Sequence, residues 1–502
     1  MSSGLNSLWT RNLTEREVLG FFLAASLLYV YPIIHADFLF IDDQWRSLLM
    51  ARDQWRLEGR LFTQLFYNVL TLSGFTPNAF PLPLLLALCA MALAMRKLAF
   101  FVYHSVDLGK CLVIVPMLYQ PFFLSNLSWQ YDGPAMVLAL AAVLFAVAAK
   151  FKHPASGLCL PGLLIALGLG LYQPVLTLFI GLCCLEMLLS VRSALPWRAI
   201  IGQAVKRALQ LLLGGAFYYC SAFAVSATHR GRLLAFDGQW FYSIWARLLL
   251  AVEQVGGLKS GTMGWWVLVV AALAVAGACV WVKRCRDNGA SLGIVLWVLA
   301  GLVGVIVLCV PGIVLFFANE KPSARIFIGF GTFLLLLFYF TREALTTLHA
   351  RAPLLLAAPC FYMLLLSFVY GQVLSSKKVF EANLSSHISY DLTSRRELLG
   401  INHFYFTTTD TEGDATWVPA YESTFALYPV LEWILSRENT LLIADRFQRL
   451  GVYNVSWVIP SAGRTLLGDS AELLIDNRHY QIYRVGEQGL ILIKSHQQIA
   501  AH

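Results

Sequence analysis

Residues 18–34 read VLGFFLAASLLYVYPII, and the tetrapeptide Ile41-Asp42-Asp43-Gln44 follows shortly after them. An uncharged apolar run of this length predicts a helix that crosses a membrane. The two adjacent carboxylates beyond it are unexpected, because an ionised carboxylate is costly to bring near lipid and usually marks a functional site there. The sequence therefore predicts a membrane-embedded fold whose chemistry lies next to the first span.

The composition of the whole chain supports this prediction. Of its 502 residues, 58% are hydrophobic and 13% are charged, which is about half the charged share of a soluble protein. The first run continues to Asp37 without an Ala-x-Ala cleavage site, so we expect it to be retained as a span. We predict an all-α polytopic membrane protein with about eleven transmembrane helices. The candidate spans are residues 18–35, 81–95, 111–124, 134–149, 158–171, 174–191, 208–226, 264–282, 292–317, 325–341 and 353–373.

The basic residues indicate the orientation of these spans. Alternate loops hold 14 Lys and Arg with one or two acids among them, and loops of this kind are cytoplasmic. The N-terminus is cytoplasmic by the same alternation. The net charge of +8 is therefore explained by topology and does not indicate nucleic-acid binding. The 14 residues are Arg96, Lys97, Lys110, Lys150, Lys152, Arg192, Arg198, Lys206, Arg207, Lys283, Arg284, Arg286, Arg342 and Arg351.

The last part of the chain differs from the rest. Residues 377–502 carry 11 Lys and Arg against 14 Asp and Glu, whereas residues 1–376 carry 26 against 15. Short apolar runs alternate with turns in the tail, as at Val455–Ile459 and Gln481–Tyr483, and this pattern favours a small α/β domain outside the membrane. We therefore predict a transmembrane domain over residues 1–376 and a periplasmic C-terminal domain over residues 377–502.

The segment after the acidic pair predicts an amphipathic helix on the membrane surface. We expect Trp45 and Trp55 to lie on its apolar side and four arginines to face water or lipid phosphate. On one hypothesis, Asp42 or Asp43 is a general base that takes a proton from a substrate hydroxyl. Alternatively, one of them caps the helix, although a cap needs only one carboxylate. The four arginines are Arg46, Arg52, Arg56 and Arg60.

A second polar loop reads NLSWQYDGP over residues 126–134. Aromatic rings stack on sugar C–H surfaces, and amides and carboxylates pair with hydroxyls, so this mixture is typical of a carbohydrate site. The alternative is an interfacial aromatic belt with an aspartate that caps the next helix. The turn Tyr172-Gln173-Pro174 fits a binding role and a structural role equally well. The candidate substrate-binding residues are Asn126, Trp129, Tyr131, Asp132, Tyr172, Gln173 and Arg60.

Basic residues also occur on the face that the topology rule expects to be poor in them. Arginine binds phosphate oxygens through two parallel hydrogen bonds, so a lipid-linked phosphate is the natural partner for such residues. Contacts with lipid headgroups, or ion pairs with the aspartates of the same face, would explain them equally well. The candidates for phosphate binding are Arg230, Arg232, Lys321 and Arg325.

Five short motifs at the predicted outer ends of spans occur in the order Phe40-Ile41-Asp42-Asp43, Gly59-Arg60, residues 126–132, Leu171-Tyr172-Gln173-Pro174, and residues 322–325. Together they resemble the Gtr-type glucosyltransferases that modify bacterial O-antigen. These belong to the polytopic, lipid-sugar-dependent glycosyltransferases with the GT-C fold. The resemblance covers residues 18–370 and does not extend to the tail.

The resemblance implies a polyprenyl-phosphate-linked sugar, glucose, as donor. It implies lipopolysaccharide O-antigen or another surface glycan as acceptor, at the periplasmic face of the bacterial inner membrane. Asp42 or Asp43 would be the catalytic carboxylate, and separate proteins, a donor synthase and a flippase, would supply the donor. No cofactor is implied, and a divalent metal at the acidic pair is unsupported because octahedral oxygen sites need more ligands. We expect the tail to seat the acceptor through its aromatic stretch at residues 403–421, unless that stretch forms hydrophobic core.

The sequence thus predicts an inverting glycosyltransferase, in which a carboxylate activates the acceptor hydroxyl and basic residues neutralise the departing phosphate. One alternative is a flippase or transporter of lipid-linked sugars. Transporters usually carry ionisable residues near the bilayer midplane and show two similar halves, whereas here these residues gather at one face. The other alternative is a glycan ligase, which would differ in using a polymer as donor.

Overall fold

The computed structural model describes residues 11–49, 54–226, 233–259, 264–318, 323–408, 421–435, 444–467 and 471–494. Its larger part is a bundle of α-helices, all of which lie between residues 15 and 394. The helices are α1 (Glu15–Ala36), α2 (Asp43–Leu49), α3 (Gln54–Leu57), α4 (Leu61–Thr71), α5 (Leu82–Val102), α6 (Leu108–Ile114), α7 (Pro116–Tyr119), α8 (Phe123–Leu127), α9 (Asp132–Ala148), α10 (Pro154–Leu171), α11 (Val175–Arg192), α12 (Trp197–Tyr218), α13 (Trp240–Gly256), α14 (Gly264–Asp287), α15 (Leu292–Leu308), α16 (Phe330–Leu348) and α17 (Ala357–Ser394).

The predicted fold class is confirmed. Within the described residues, seven helical segments are long and apolar enough to cross a membrane, and three shorter apolar segments accompany them. These ten segments correspond to ten of the predicted spans. The remaining candidate, residues 208–226, falls in α12 and in a π-helical turn at Tyr219–Phe223. Helix α12 is less apolar than the ten because it carries Arg198, Lys206 and Arg207.

Local sequence explains how the helices begin and how closely they pack. Helix α1 starts with a capping box: the Thr14 hydroxyl accepts a hydrogen bond from the Glu17 N–H, and the Glu17 carboxylate accepts one from the Thr14 N–H. The helix ends at Asp37, whose φ of +46° redirects the chain toward the acidic pair. Between α14 and α16, a β-carbon at Gly277 would collide with the carbonyl oxygen of Phe340. The two helices can therefore approach this closely only at a glycine.

The helix termini define two ends of the bundle. At the first, which we call the Asp42 end, α1 and α10 finish and α9, α11 and α16 begin. At the second, the Arg342 end, α5, α11 and α16 finish. Helix α11 has 18 residues and runs from one end to the other, which separates the ends by about 27 Å. All the predicted site residues that the structure describes lie at the Asp42 end.

Helix α17 connects the bundle to a small sheet. It has 38 residues and is therefore about 57 Å long, which exceeds the thickness of a bilayer core. The helix continues across residue 376, where the boundary between the transmembrane and C-terminal domains is predicted. That domain boundary stays a prediction. The last turns of α17 pack against the sheet, whose strand order is β2-β1-β5-β4-β3, with β1 parallel to both neighbours and the other pairs antiparallel. The elements are β1 (His403–Thr408), α18 (Glu422–Leu427), α19 (Pro429–Leu435), α20 (Ala444–Arg449), β2 (Val455–Trp457), α21 (Pro460–Leu466), β3 (Glu472–Asp476), β4 (Tyr480–Val485) and β5 (Gln488–Ile493).

The aromatic residues of the tail belong to two different cores. Phe404 and Phe406 are buried in the core between the sheet and α17, so for them the hydrophobic-core alternative is correct. Tyr421 is buried in the core of the bundle, and the ring of Trp433 lies 5.0 Å from that of Phe122. Helices α18 and α19 therefore attach the tail to the bundle. Trp417, another residue of the predicted contact surface, lies outside the described residues.

Candidate active site

Asp43 is a fully buried carboxylate that joins two loops. Its Oδ2 atom accepts hydrogen bonds from the backbone N–H groups of Phe40 at 3.1 Å and Gln130 at 2.8 Å. Its Oδ1 atom accepts one from the N–H of Tyr131 at 3.2 Å. The carboxyl group thus holds Gln130 and Tyr131 of the second polar loop against the segment that contains Phe40. None of the three N–H groups belongs to α2, so the Asp43 side chain does not cap that helix.

Burial raises the pKa of Asp43 to about 8. The nearby Asp132 carboxylate adds to this rise, whereas the N–H donors of Gln130 and Tyr131 and the Arg46 guanidinium oppose it. Asp43 is therefore mostly protonated at neutral pH and contributes little negative charge to the site.

Asp42 is the accessible member of the acidic pair. Its side chain is 38% exposed, and its Oδ2 atom lies 3.7 Å from Nη2 of Arg46. A general base must come within hydrogen-bond distance of the proton that it abstracts. Of the two aspartates, Asp42 has the geometry that this role requires.

Arg46 connects Asp42 to Asp132. Its side chain is buried, lies 3.5 Å from Oδ1 of Asp132, and is 4.6 Å from the centre of the Trp55 ring. Asp132 also accepts a hydrogen bond from Nε1 of Trp55 at 2.6 Å and pairs with Nη1 of Arg60 at 3.0 Å. The result is a continuous network, Asp42–Arg46–Asp132–Arg60, which we call the acidic-arginine network.

This network corrects one expectation. Arg46 and Arg60 do not lie on an exposed face toward bulk water or the headgroups of the bilayer, because both are buried and pair with Asp132. Trp55 is also buried, inside the site. A buried carboxylate must be neutralised by partners of opposite charge, so Asp132 explains why these two arginines are buried.

The short turn after α10 positions Arg60. The carbonyl oxygen of Leu171 accepts a hydrogen bond from Nε of Arg60 at 3.0 Å. Nε2 of Gln173 lies 3.5 Å from the carbonyl oxygen of Gly59 and 3.2 Å from the hydroxyl of Tyr218. Gly59 has φ +71°, and a β-carbon there would be 2.9 Å from the Tyr218 hydroxyl. Glycine is therefore required at the position that aims Arg60 at the network.

Arg325 lies beside this network with an exposed guanidinium group. Its carbonyl oxygen accepts hydrogen bonds from Nδ2 of Asn126 at 2.9 Å and from the hydroxyl of Tyr172 at 2.7 Å. Its guanidinium is exposed, lies 5.5 Å from the centre of the Trp129 ring, and forms no ion pair with a carboxylate of the described residues. Asn126, Tyr172 and Trp129 therefore hold Arg325 in place while its guanidinium remains available to an anion.

Five buried polar atoms of this region have no hydrogen-bond partner in the part of the chain that the structure describes. Four of them carry N–H or O–H groups, and unsatisfied buried donors are rare in proteins unless a ligand or water binds them. The oxygen atoms of a ligand could accept hydrogen bonds from these four donors. The five atoms are Nε of Arg46, Nη2 of Arg60, Oδ1 of Asn126, Nε1 of Trp129 and the hydroxyl of Tyr131.

The exposed guanidinium of this cluster also favours an anion. Asp42 and Asp132 pair with the buried Arg46 and Arg60, whereas the guanidinium of Arg325 is exposed. Guanidinium groups bind phosphate oxygens especially well.

A cavity of about 370 Å³ lies next to the site, between the bundle and the tail. The bundle contributes Asp37, Gln44 and Asn78, and the tail contributes Arg446 and Arg449. Arg449 also reaches the bundle directly, by a hydrogen bond to the hydroxyl of Ser47. Carboxylate, amide and guanidinium groups in one cavity can bind the hydroxyls of a glycan.

Three predicted phosphate ligands, Arg230, Arg232 and Lys321, lie outside the described residues. Their role stays a prediction.

Tyr67 is a further buried residue of the site, which was not predicted from the sequence. Tyr67 donates a hydrogen bond to the carbonyl oxygen of Tyr131 at 2.6 Å, and its ring stacks on Trp55 with centres 5.1 Å apart. A sequence signal for this residue exists, because Arg60, Thr63 and Tyr67 are spaced three and four residues apart. This spacing places them on one face of α4 and its first turn, and it could have indicated a polar face directed inward.

The region that contains this site matches a known family. Residues 31–370 match the model for the glucosyl transferase GtrII family, and they include the whole cluster from Asp42 to Arg325. The chain belongs to the GtrII glucosyltransferase family. The resemblance found in the sequence is thereby confirmed, and the apolar helices agree with a protein that is embedded in a membrane. The GtrII match ends before the sheet, so the C-terminal strands lie outside the family region.

The chain also resembles a phage protein, at a lower level of similarity. The chain is 25% identical over 168 residues to an uncharacterized 55.3 kDa protein in the gtrB 5′ region of Salmonella phage P22. That alignment covers 34% of this chain and 34% of the phage protein. No solved structure matches the chain.

Proposed function

We propose that this GtrII protein transfers glucose from a polyprenyl-phosphate donor to lipopolysaccharide O-antigen or another surface glycan, with inversion at the anomeric carbon. The reaction takes place at the periplasmic face of the bacterial inner membrane. The excess of Lys and Arg in loops at the Arg342 end supports this orientation, because such loops face the cytoplasm. A donor synthase and a flippase supply the lipid-linked sugar.

One observation carries the proposal. The acidic-arginine network joins an accessible carboxylate, Asp42, to a guanidinium, Arg60, whose Nη2 atom has no partner among the described residues. A base and an anion-binding group held in one rigid network are what transfer from a phosphate donor needs. Asp42 then acts as the base, and Arg60 and Arg325 bind the phosphate.

In this mechanism the acceptor hydroxyl attacks the anomeric carbon while the Asp42 carboxylate takes its proton. The new bond joins the acceptor oxygen to that carbon, and the bond from the carbon to the phosphate oxygen breaks. The polyprenyl phosphate leaves with an additional negative charge, which Arg60 and Arg325 stabilise. No metal is required for this charge to be neutralised. Lys321, Arg230 and Arg232 are further candidates for the same task.

Asp43 and Asp132 support the site without reacting. Asp43 fixes the backbone of Gln130 and Tyr131, and Asp132 holds Arg46 and Arg60 at fixed positions. Holding charged groups in place before the reaction is the main source of electrostatic stabilisation in enzymes.

The acceptor glycan occupies the cavity between the bundle and the tail. Its lining combines Gln44 and Asn78 of the bundle with Arg446 and Arg449 of the tail, so both parts of the chain can contribute to acceptor choice. Exchanging the tail, residues 377–502, with that of a family member of different acceptor preference should change the glycan that is modified. The donor sugar should stay the same. A swapped protein that changes its donor and keeps its acceptor would contradict this division.

The decisive experiment uses the purified full-length protein in lipid nanodiscs. Polyprenyl-phosphate glucose and isolated O-antigen are supplied, and the product is followed by mass spectrometry with the anomeric configuration read by NMR. We expect transfer with inversion, and no transfer from a nucleotide-linked glucose. Efficient transfer from the nucleotide donor, or retention of configuration, would refute the proposed donor or mechanism.

A further inference from the structure

A second polar cavity lies at the Arg342 end, about 27 Å from the acidic-arginine network along α11. Its volume is about 470 Å³. It is formed where α5, α11 and α16 finish and α6 begins. The groups in its lining that matter here are Tyr103, Lys110, Glu186, Arg192, Arg342 and Glu343.

The charges around this cavity do not balance. Arg192 and Arg284 both pair with the buried carboxylate of Glu343. Lys110 lies 3.1 Å from Asp107, and Arg342 is 3.8 Å from the same carboxylate. A third carboxylate, Glu186, forms an ion pair with Arg207 from outside the cavity lining, so this pair adds no net charge. Four cations therefore share two carboxylates, Asp107 and Glu343, and an excess of two positive charges remains.

The hydroxyl of Tyr103 is a buried polar group of this cavity. Tyr103 is 9% exposed, and its hydroxyl forms no hydrogen bond within the described residues. Its ring has Nζ of Lys110 at 5.8 Å and the guanidinium carbon of Arg342 at 5.1 Å from its centre. Nε of Arg342 is likewise buried and unsatisfied by any described group. Two unused donors thus lie beside surplus positive charge, which is the arrangement that binds an anion with several oxygens.

We propose that this cavity binds the phosphate group of an anionic lipid headgroup. Phosphate provides negative charge to offset the surplus, and it provides oxygen acceptors for the Tyr103 hydroxyl and for Nε of Arg342, which have none among the described residues. The cavity lies at the ends of apolar helices, where the headgroups of one leaflet are located, and basic pockets between transmembrane helices recognise such headgroups. Inorganic phosphate shares this chemistry and is the other source to be tested.

Lipid binding by the full-length protein in detergent, measured by native mass spectrometry, tests this site independently of sugar transfer. The probes are phosphatidylglycerol, phosphatidylcholine and inorganic phosphate. Tyr103→Phe removes only the unpartnered hydroxyl, so the variant should fold normally, and it should bind phosphatidylglycerol roughly tenfold more weakly, because a hydrogen bond to a charged group is lost. Lys110→Gln should weaken binding as well. Arg351→Gln is the matched control, since Arg351 is an exposed cation at the same end that does not line the cavity.

Preferential binding of phosphatidylglycerol over phosphatidylcholine, weakened by Tyr103→Phe and Lys110→Gln but not by Arg351→Gln, would support the lipid site. Equal competition by inorganic phosphate at millimolar concentration would support the phosphate chemistry and overturn the lipid as its source. No preference among the three probes, or equal losses in all three variants, would refute the site.

Discussion

Replacing each aspartate of the acidic pair by asparagine should separate a catalytic role from a positioning role. Asp42→Asn keeps the size of the side chain and removes its basicity. Asp42 is 38% exposed and takes part in one ion pair at 3.7 Å, so the free energy of unfolding should change by less than about 1 kcal/mol. The rate of sugar transfer should fall about 10²- to 10⁴-fold, which is the usual contribution of a general base.

Asp43→Asn should have the opposite profile. Two carboxyl oxygens of Asp43 accept three backbone N–H groups, whereas an asparagine side chain has a single oxygen acceptor. At least one buried N–H, from Phe40, Gln130 or Tyr131, then loses its partner, which costs about 1–3 kcal/mol of folding free energy. The variant should unfold at a lower temperature, and any loss of activity should accompany this loss of stability.

The assay compares purified variants in nanodiscs by transfer rate and by thermal unfolding. Asp237→Asn is the control, because Asp237 is an exposed residue of another loop whose carboxylate accepts a backbone N–H that an asparagine can also accept. A stable Asp42→Asn protein with full activity, beside a stable but inactive Asp43→Asn protein, would reverse the assignment. Normal activity in both single variants and in the double variant would move the base elsewhere, with Asp132 the next candidate.

Four further outcomes are expected. Arg325→Ala should reduce the affinity for polyprenyl-phosphate glucose in a direct binding measurement, and Arg325→Lys should reduce it less, because lysine keeps the charge but loses the two-pronged hydrogen bonding; unchanged affinity in both would contradict phosphate binding. Gly59→Ala should cost about 1–2 kcal/mol because of the left-handed backbone, and it should also slow transfer by displacing Arg60, as unfolding and rate measurements would reveal. The pKa of Asp43 is raised in the folded state to about 8, so the folded protein keeps a proton that the unfolded chain releases near pH 4. The free energy of unfolding should therefore fall as the pH rises from about 4 to 8. Unfolding scans of Asp43→Asn should lack this pH dependence. A reporter that is active only in the periplasm should be active when it is fused after residue 376. Activity of a reporter that works only in the cytoplasm, fused at the same place, would contradict the predicted orientation.

The sequence determined the class of protein, and it indicated which charged residues could form a site. Runs of about 20 apolar residues can be recognised without knowledge of their neighbours, because the thickness of the bilayer sets their length. The same holds for the alternation of basic loops. The acidic pair was recognisable because charge next to a span is costly wherever the rest of the chain lies. These properties are local, and ten predicted spans and the fold class followed from them.

The division of labour inside the site required the tertiary structure. Asp42 and Asp43 are neighbours of the same residue type, yet one is half-exposed and the other is buried beneath the loop of Gln130 and Tyr131. That difference depends on contacts with residues 87 and 88 positions away in the chain, which no local pattern encodes.

The arginines show the same limit. Their spacing predicted an exposed face, but the buried carboxylate of Asp132, 86 residues from Arg46 in sequence, drew Arg46 and Arg60 inward. Local sequence indicates which residues carry charge, whereas burial depends on which charges meet. A carboxylate in a medium of low polarity must be neutralised by an opposite charge, and only the folded chain decides which arginine is near enough to do so.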